Sequence, residues 1–193
     1  MIILKKSSIK VLETERLILR PFRRSDAKAM FKNWANDPQV MRYLSANVSN
    51  SIEEVHIRLD NWFSYFNDID TGSWGMYAIV LKSTGEVIGE IDFAELDTDN
   101  RSAEVGYQIG KAWWGQGYVA EALKRLIRYC FVEVGLKKIW GDFDARNINS
   151  GKVMVKAGMK HEKTTERISE STGETVTRVR YAITAENYFV ENK

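Results

Sequence analysis

Apolar and polar positions change rhythm several times along the chain, and each change marks an element. "RLILRPF" over 16–22 alternates closely enough to read as a strand. "SDAKAMFKNWAN" then takes helical spacing, with Ser25 placed as the N-cap and Asp26 in the first turn. "DPQVMRYL" predicts a second, short helix with Pro38 in its first turn, where the missing N–H costs nothing. "SIEEVHIRLDNWFSYF" carries Ser51 and Glu54 at capping-box spacing, and its Val55, Leu59, Trp62, Phe63 and Phe66 fall on one stripe.

The period next drops to two. "SWGMYAIVLK" and "VIGEIDFAEL" read as strands joined by a tight turn at Gly85, and "SAEVGYQIG" as a third. "GYVAEALKRLIRYCFVEVG" returns to helical spacing, apolar at 119, 122, 123, 126, 127, 130, 131 and 134, with Gly135 closing it. "KKIWGDFDA" reads as a strand and "NINSGKVMVKAGM" as a short helix from Asn147 to Gly158. "TTERISE" and "TVTRVRYAIT" make a closing hairpin. Helices, a meander, one β–α–β crossover and a hairpin predict an α+β (mixed α/β) fold, its central sheet mixed but mostly antiparallel and flanked by helices. The length of 193 residues suits one domain and is short for two, so 1–193 is expected to fold as a unit.

Composition narrows the class. Apolar residues make up 44% and charged residues 28%, the profile of a soluble globular protein. A net charge of +2, from 28 basic and 26 acidic residues, is too balanced to argue for a nucleic-acid or membrane surface. Cys130 is the only cysteine, which excludes an internal disulfide and a cysteine zinc site. It lies on the apolar stripe of the long helix and is expected to be buried. His56 and His161 have no motif around them and read as surface or packing residues, and no metal-ligand cluster is present. The apolar run after Met1 is too short for a signal peptide or anchor, so a cytoplasmic protein is expected.

"WWGQGYVAEAL" carries the chemistry. Gly115 and Gly117 stand between a strand and the long helix, where free N–H groups and the positive end of the helix dipole meet. Such a turn binds phosphate readily, although glycines also permit a sharp turn with no ligand. Gly115, Gly117 and Ala120 fit the dinucleotide fingerprint G-x-G-x-x-A as well, with Asp142 downstream as a ribose-binding acid. That fingerprint opens the first of several β–α–β units, whereas here a meander precedes it and only one crossover exists. A Walker-type loop is excluded, because no Gly-Lys-Ser/Thr follows.

Taken together, four segments resemble the GNAT superfamily of acyl-CoA-dependent N-acetyltransferases, more narrowly the branch of ribosomal-protein N-terminal-alanine acetyltransferases. They are "TERLILRPFRRSDAKAMFKNWANDPQVMRYL", "VIGEIDF" with "RSAEVGYQIGKAWWGQGYVAEAL", "DARNINSGKVMVKAGM" and "VRYAIT", in the family's order, over about residues 14–185. The resemblance implies acetyl-CoA as cosubstrate and no metal. Its pyrophosphate would lie on main-chain N–H groups of Trp114, Gly115, Gln116, Gly117, Tyr118, Val119 and Ala120. Its pantetheine arm would enter a splay between strands 103–109 and 138–144, beside Gln108 and Ile109, with Asn147 on the other side. A plain helix N-cap is the other reading of Asn147.

The same resemblance makes Glu104 the leading candidate for the base, with Glu90 and Asp92 in reserve. Ser150 is the hydroxyl placed to assist the leaving thiolate, and Tyr43 and Trp74 would wall the acceptor site. The acceptor would be a primary amine, first the N-terminus of a protein such as a ribosomal protein, then a small molecule, on a monomer or homodimer. Three positions depart from the superfamily: Trp114 where Arg or Gln often stands, Val119 where a small residue is usual, and Met154 where many relatives carry a tyrosine general acid. The narrower branch commonly has an aliphatic residue at that last position. A non-catalytic acyl-CoA-binding module and, more weakly, a dinucleotide-binding protein are the alternatives.

Overall fold

The computed structural model describes residues 10–44, 46–68, 75–97, 99–168 and 173–191. Among them, eight strands form one sheet: β1 (Leu12–Glu13), β2 (Leu17–Pro21), β3 (Gly75–Leu81), β4 (Val87–Asp97), β5 (Ser102–Ile109), β6 (Lys138–Asp144), β7 (Lys160–Ile168) and β8 (Thr175–Thr184). Their order is β1-β2-β3-β4-β5-β6-β8-β7. Only β5 and β6 run parallel; every other pair is antiparallel. The mixed, mostly antiparallel sheet with one crossover is therefore as the sequence predicts.

That crossover is α4 (Tyr118–Tyr129), which a wider helical turn over Cys130–Val134 extends to Gly135. Its stripe Ala122, Leu123, Leu126, Ile127 and Cys130 is buried in one core with Phe93, Val105 and Ile139 on one face of the sheet, and Val119 is buried at its start. Burial pushes the Cys130 thiol well above its ordinary pKa, so Cys130 is a packing residue. The opposite face carries α1 (Ala27–Met30), α2 (Pro38–Met41) and α3 (Ile52–Asp68). There Val55 and Leu59 of α3 join Met30, Trp34, Ala78 and Val80 in a second core. Successive strand residues point to opposite faces, so Ile91, Phe93 and Val105 serve the α4 core. Glu90, Asp92, Glu104 and Gln108 consequently turn to the other side.

Helix ends follow local hydrogen bonding, with one correction. Ser51 Oγ accepts from Glu54 N at 3.3 Å, while the Glu54 carboxylate reaches Asn50 N at 2.9 Å. Asp37 caps α2 by accepting from Gln39 N at 2.8 Å. Ser25 is not a cap; it lies inside a tight turn over Arg24–Asp26. Asp26 takes the capping role, accepting from Arg23 N at 2.7 Å while Arg20 grips its carboxylate with bonds of 2.7 and 2.8 Å. A buried, bidentate carboxylate is the stronger acceptor, and it fixes where the turn begins.

Three features fall outside the sequence reading. β1 is two residues long, too short for any rhythm. α5 (Ile148–Lys156) is as expected, but β7 begins at Lys160, ahead of the expected start at Thr164, and is exposed along its whole length. It therefore carries no apolar alternation. The closing helix α6 (Ala185–Glu191) has no fully buried residue and hence a weak stripe.

Candidate active site

β5 ends at Ile109, and Lys111–Trp113 form a tight turn before Trp114. Gly115 has φ +75 and Gly117 has φ +82, in the left-handed region that side chains disfavour. Nothing lies within 4 Å of where a Cβ on Gly115 would sit, so that side of the turn opens outward. Gly117 precedes α4, and its carbonyl accepts from Glu121 N at 3.0 Å. The N–H groups of Tyr118, Val119 and Ala120 come before that first helical bond, and helix geometry gives them no intrahelical acceptor. Positive-φ glycines, free N–H groups and a helix dipole over open space fit a diphosphate. Val119 and Ala120 turn their side chains into the core, so the larger residue at 119 does not crowd the turn.

Side chains hold the turn in shape. Gln116 Nε2 donates to Ala112 O at 3.0 Å. Trp114 Nε1 donates to Ile109 O at 2.9 Å, and its ring remains 43% exposed. That bond commits the last carbonyl of β5.

β5 and β6 pair through Ser102↔Lys138, Ala103↔Ile139 and Glu104↔Trp140, and the recorded register ends there. β5 continues to pair with β4 up to Ile109, so from 105 onward it leaves β6 and a cleft opens between them. A Cβ at Gly141 would lie 2.7 Å from Met154 Cε and 3.1 Å from Val105 O. Met154, buried to 2%, thus fills the vertex of the splay. Its thioether can donate neither a proton nor a hydrogen bond.

One turn earlier on α5, Ser150 Oγ lies 3.0 Å from the Tyr107 hydroxyl, which also donates to Ser150 O at 2.8 Å. With the phenolic proton on that carbonyl, the serine hydroxyl is the donor in the 3.0 Å contact. Burial pushes the Tyr107 phenol well above its ordinary pKa, partly offset by Ser150. Asn147 Oδ1 accepts from Ser150 N at 3.4 Å, so Asn147 serves as the α5 N-cap.

A row of carboxyls lines the opposite face. The cross-strand pairs are Glu90↔Gln108, Asp92↔Gly106 and Ala94↔Glu104. Glu90 is 6% exposed, and Gln108 Nε2 donates to its Oε1. Its Oε2 and Gln108 Oε1 are buried without a hydrogen-bond partner among the described residues. Burial raises the Glu90 pKa to about 8, helped by the charge of Asp92 and opposed by Gln108 and Arg58. Asp92 lies over the backbone of Gly106, where a Cβ would come within 3.0 and 3.1 Å of its oxygens. Burial lifts its pKa to about 6 against the N–H of Gly106.

Glu104 sits opposite Trp140, whose ring carries the Arg180 guanidinium at 3.5 Å. Arg180 makes bonds of 2.9 and 2.8 Å to Asp142. Burial works to raise the Asp142 carboxyl, but Arg180, Arg178 and Arg167 together hold it below its usual range. Asp142 is therefore an ion-paired carboxylate facing β8, which removes the ribose partner that a dinucleotide reading needs. Tyr43 lies between Arg42 and Arg146, at 5.2 and 5.8 Å from its ring, and Arg146 grips Asp144 through 2.9 and 2.7 Å bonds. Tyr43 thus reaches the start of α5 near the cleft. Trp74 lies outside the described residues.

Tyr107, Asp92 and Arg180 were not among the leading site residues read from the sequence. Strand parity puts Tyr107 on the α5 side, but no sequence signal pairs it with Ser150.

An open glycine turn at a helix start, a splayed strand pair and a row of carboxyls beside the splay suit acyl transfer. The acetyltransferase (GNAT) domain matches residues 16–160, and the chain belongs to that family of acetyl-CoA-dependent N-acetyltransferases. The uncharacterized N-acetyltransferase p20 of Bacillus licheniformis is 31% identical over 147 residues, 76% of this chain and 80% of the relative. The [ribosomal protein uS5]-alanine N-acetyltransferase of Escherichia coli is 24% identical over 156 residues, 78% of each chain. A GNAT-family acetyltransferase structure from Bacillus anthracis superposes with a TM-score of 0.80 at 24% identity, covering 92% of this chain and 99% of the other. Among the described residues, no helix is long and apolar enough to cross a membrane.

Acetyl-CoA should raise the melting temperature, because a ligand that binds only the folded state stabilises it. Gly117→Asp should abolish that rise by adding a side chain at φ +82 and a negative charge at the cradle. A folded mutant with the wild-type shift would contradict the assignment.

Glu90 generates a pH prediction. Its folded pKa of about 8 exceeds the unfolded value of ~4.3, so its contribution to stability is full below pH ~4 and is lost as pH rises through about 8. Glu90→Gln should therefore gain stability relative to wild type between pH 5 and pH 9 in urea titrations. A difference that is flat with pH would show that Glu90 is not held protonated.

Proposed function

We propose that the enzyme acetylates the α-amine of a protein N-terminus, with ribosomal proteins as the first class to test and small-molecule amines as the second reading. The observation that carries this is the partly accessible pair Asp92 and Glu104 flanking Gly106, immediately past the last paired residues of β5 and β6. An amine arriving there meets a proton acceptor beside the cleft. The likeness to an alanine N-acetyltransferase of a ribosomal protein favours the protein acceptor.

Main-chain N–H groups from Gly115 to Ala120 hold the diphosphate; the N–H of Trp114, expected to join them, instead donates to Lys111 O at 3.2 Å. Gln108, Ile109 and Asn147 flank the pantetheine arm. Trp114 takes one lone pair of the Ile109 carbonyl, and the second is left for the arm. Glu104 takes the ammonium proton, with Asp92, poised near 6, as the second carboxyl of the pair. The neutral amine attacks the thioester carbonyl, the C–N bond forms as the C–S bond breaks, and the second proton lost from the nitrogen ends on the sulfur to give the free thiol. Ser150 Oγ–H then turns from Tyr107 to donate to the departing thiolate, the work that Met154 cannot do. Tyr43 lines the acceptor entrance.

The deciding assay incubates the protein with acetyl-CoA and a panel of N-terminal peptides, polyamines and amino acids, read by thiol release and mass spectrometry. Peptide α-amines should be acetylated. Glu104→Gln should lower turnover by ~10²-fold or more near neutrality, with the loss shrinking at high pH, where the amine is already neutral. Asp92→Asn should remove the part of the pH–rate rise that falls near pH 6. Acetylation of small amines alone would overturn the protein acceptor. Binding of acetyl-CoA with no amine acetylated would favour the non-catalytic module that Met154 keeps open.

A further inference from the structure

The corner between β1 and β2 reaches far across the chain to the first turn of α4. Thr14 Oγ1 donates to Glu121 Oε1 at 2.5 Å, and Arg16 N donates to the same oxygen at 3.0 Å. Arg16 Nε donates to Glu121 Oε2 at 2.7 Å, and one terminal nitrogen lies 2.7 Å from that oxygen. The other terminal nitrogen donates to Gln116 O at 3.1 Å, and the guanidinium lies 4.3 Å from the centre of the Tyr118 ring. Gly117 completes the set: a Cβ there would come 3.7 Å from the guanidinium. Arg16 thereby touches Gln116, Tyr118 and Glu121 around a glycine that carries positive φ.

We infer that Arg16 is a positioning residue for acetyl-CoA, which locks the glycine turn in its open form and cancels the negative charge of Glu121 beside the diphosphate cradle. The inference rests on the cosubstrate reading of that turn. Two physical effects combine. The bond to Gln116 O fixes the peptide between the two left-handed glycines, which sets the direction of the N–H groups that follow. Glu121 is the acidic residue in the first turn of α4. A carboxylate there suits the helix dipole but competes with an incoming anion for the same positive end. The guanidinium directs Nε and one terminal nitrogen at Oε2 of that carboxylate, and Thr14 and the Arg16 N–H occupy Oε1. Tyr118 under the guanidinium keeps the fork in place. Lysine has one point charge and cannot reproduce the planar fork that holds Gln116 O and Glu121 Oε2 at once.

The test measures steady-state kinetics and acetyl-CoA titration on the full-length chain for Arg16→Gln, Arg16→Lys, Glu121→Gln and the double variant Arg16→Gln/Glu121→Gln. Arg16→Gln should raise KM and Kd for acetyl-CoA about 10-fold or more, while kcat at saturation and KM for the amine stay within about twofold. Arg16→Lys should fall between wild type and Arg16→Gln. The double variant should bind acetyl-CoA more tightly than Arg16→Gln alone, because the uncovered carboxylate is gone. Should Arg16→Gln fail to fold, Arg16→Lys and Glu121→Gln carry the test through the same split between the two KM values. Unchanged acetyl-CoA affinity in the folded variants overturns the inference, as does a loss of kcat with both KM values unchanged. If the wild type itself does not bind acetyl-CoA, the cosubstrate reading falls first and the inference falls with it.

Discussion

β5 is hydrogen-bonded on both sides at Glu104 and then parts from β6. β4 keeps its hold on β5 up to Ile109, while β6 turns toward β8 and α5. Among the described residues, this gap leaves the edge of β5 without a strand partner inside the sheet, and the candidate site residues are arranged around it. Met154 at the vertex and Gly141 beside it let the two strands stay close until the parting. The glycine turn stands at the far end of β5, and α4 leads away from it, so a ligand held by that turn lies in line with the gap. The strand, the turn and the helix form one continuous piece of chain from 102 to 129, which links the candidate phosphate turn to the cleft.

Charge around the gap is divided by burial. Asp142 and Asp144 are matched by arginines and stay ionised, which anchors β6 to β8 and to the start of α5. Among the described residues Glu90 and Asp92 make no arginine salt bridge, and burial raises their pKa values to about 8 and about 6. The same sheet face thus carries carboxylates fixed as structure and carboxyls able to exchange a proton near neutrality. The hydroxyl pair of Tyr107 and Ser150 lies on the other face, across the cleft. The proposed base and the proposed hydrogen-bond donor are consequently separated by the strand edge on which the thioester is proposed to lie.

Much of this was legible in the sequence, and the parts that were not share a physical cause. The stripe of α4 and the alternation of β3 to β5 are local patterns, and a single crossover limited the topologies. Gly115 and Gly117 were legible because only glycine serves well at positive φ. Contacts between distant segments left no local trace: Arg16 meets Glu121 across 105 positions, and Tyr107 meets Ser150 across 43. Parity put Glu90, Asp92 and Glu104 on one face, but how deeply each is covered depends on helices far away in sequence. Ser25 looked like a cap until the buried Arg20–Asp26 pair set the helix start. Asn147, read for both a cap and a ligand contact, is engaged as the cap. β7 has no apolar side, so its true start was invisible.

Hydrogen exchange measured residue by residue, with and without acetyl-CoA, separates a ligand seated along the gap from one bound elsewhere. Exchange should slow at the amides of 115–120 and at those of 105–109 that face the cleft, with α3 and β7 unchanged. Saturating acetyl-CoA that protects neither segment, or protects some other part of the sheet, would contradict a seat along the gap.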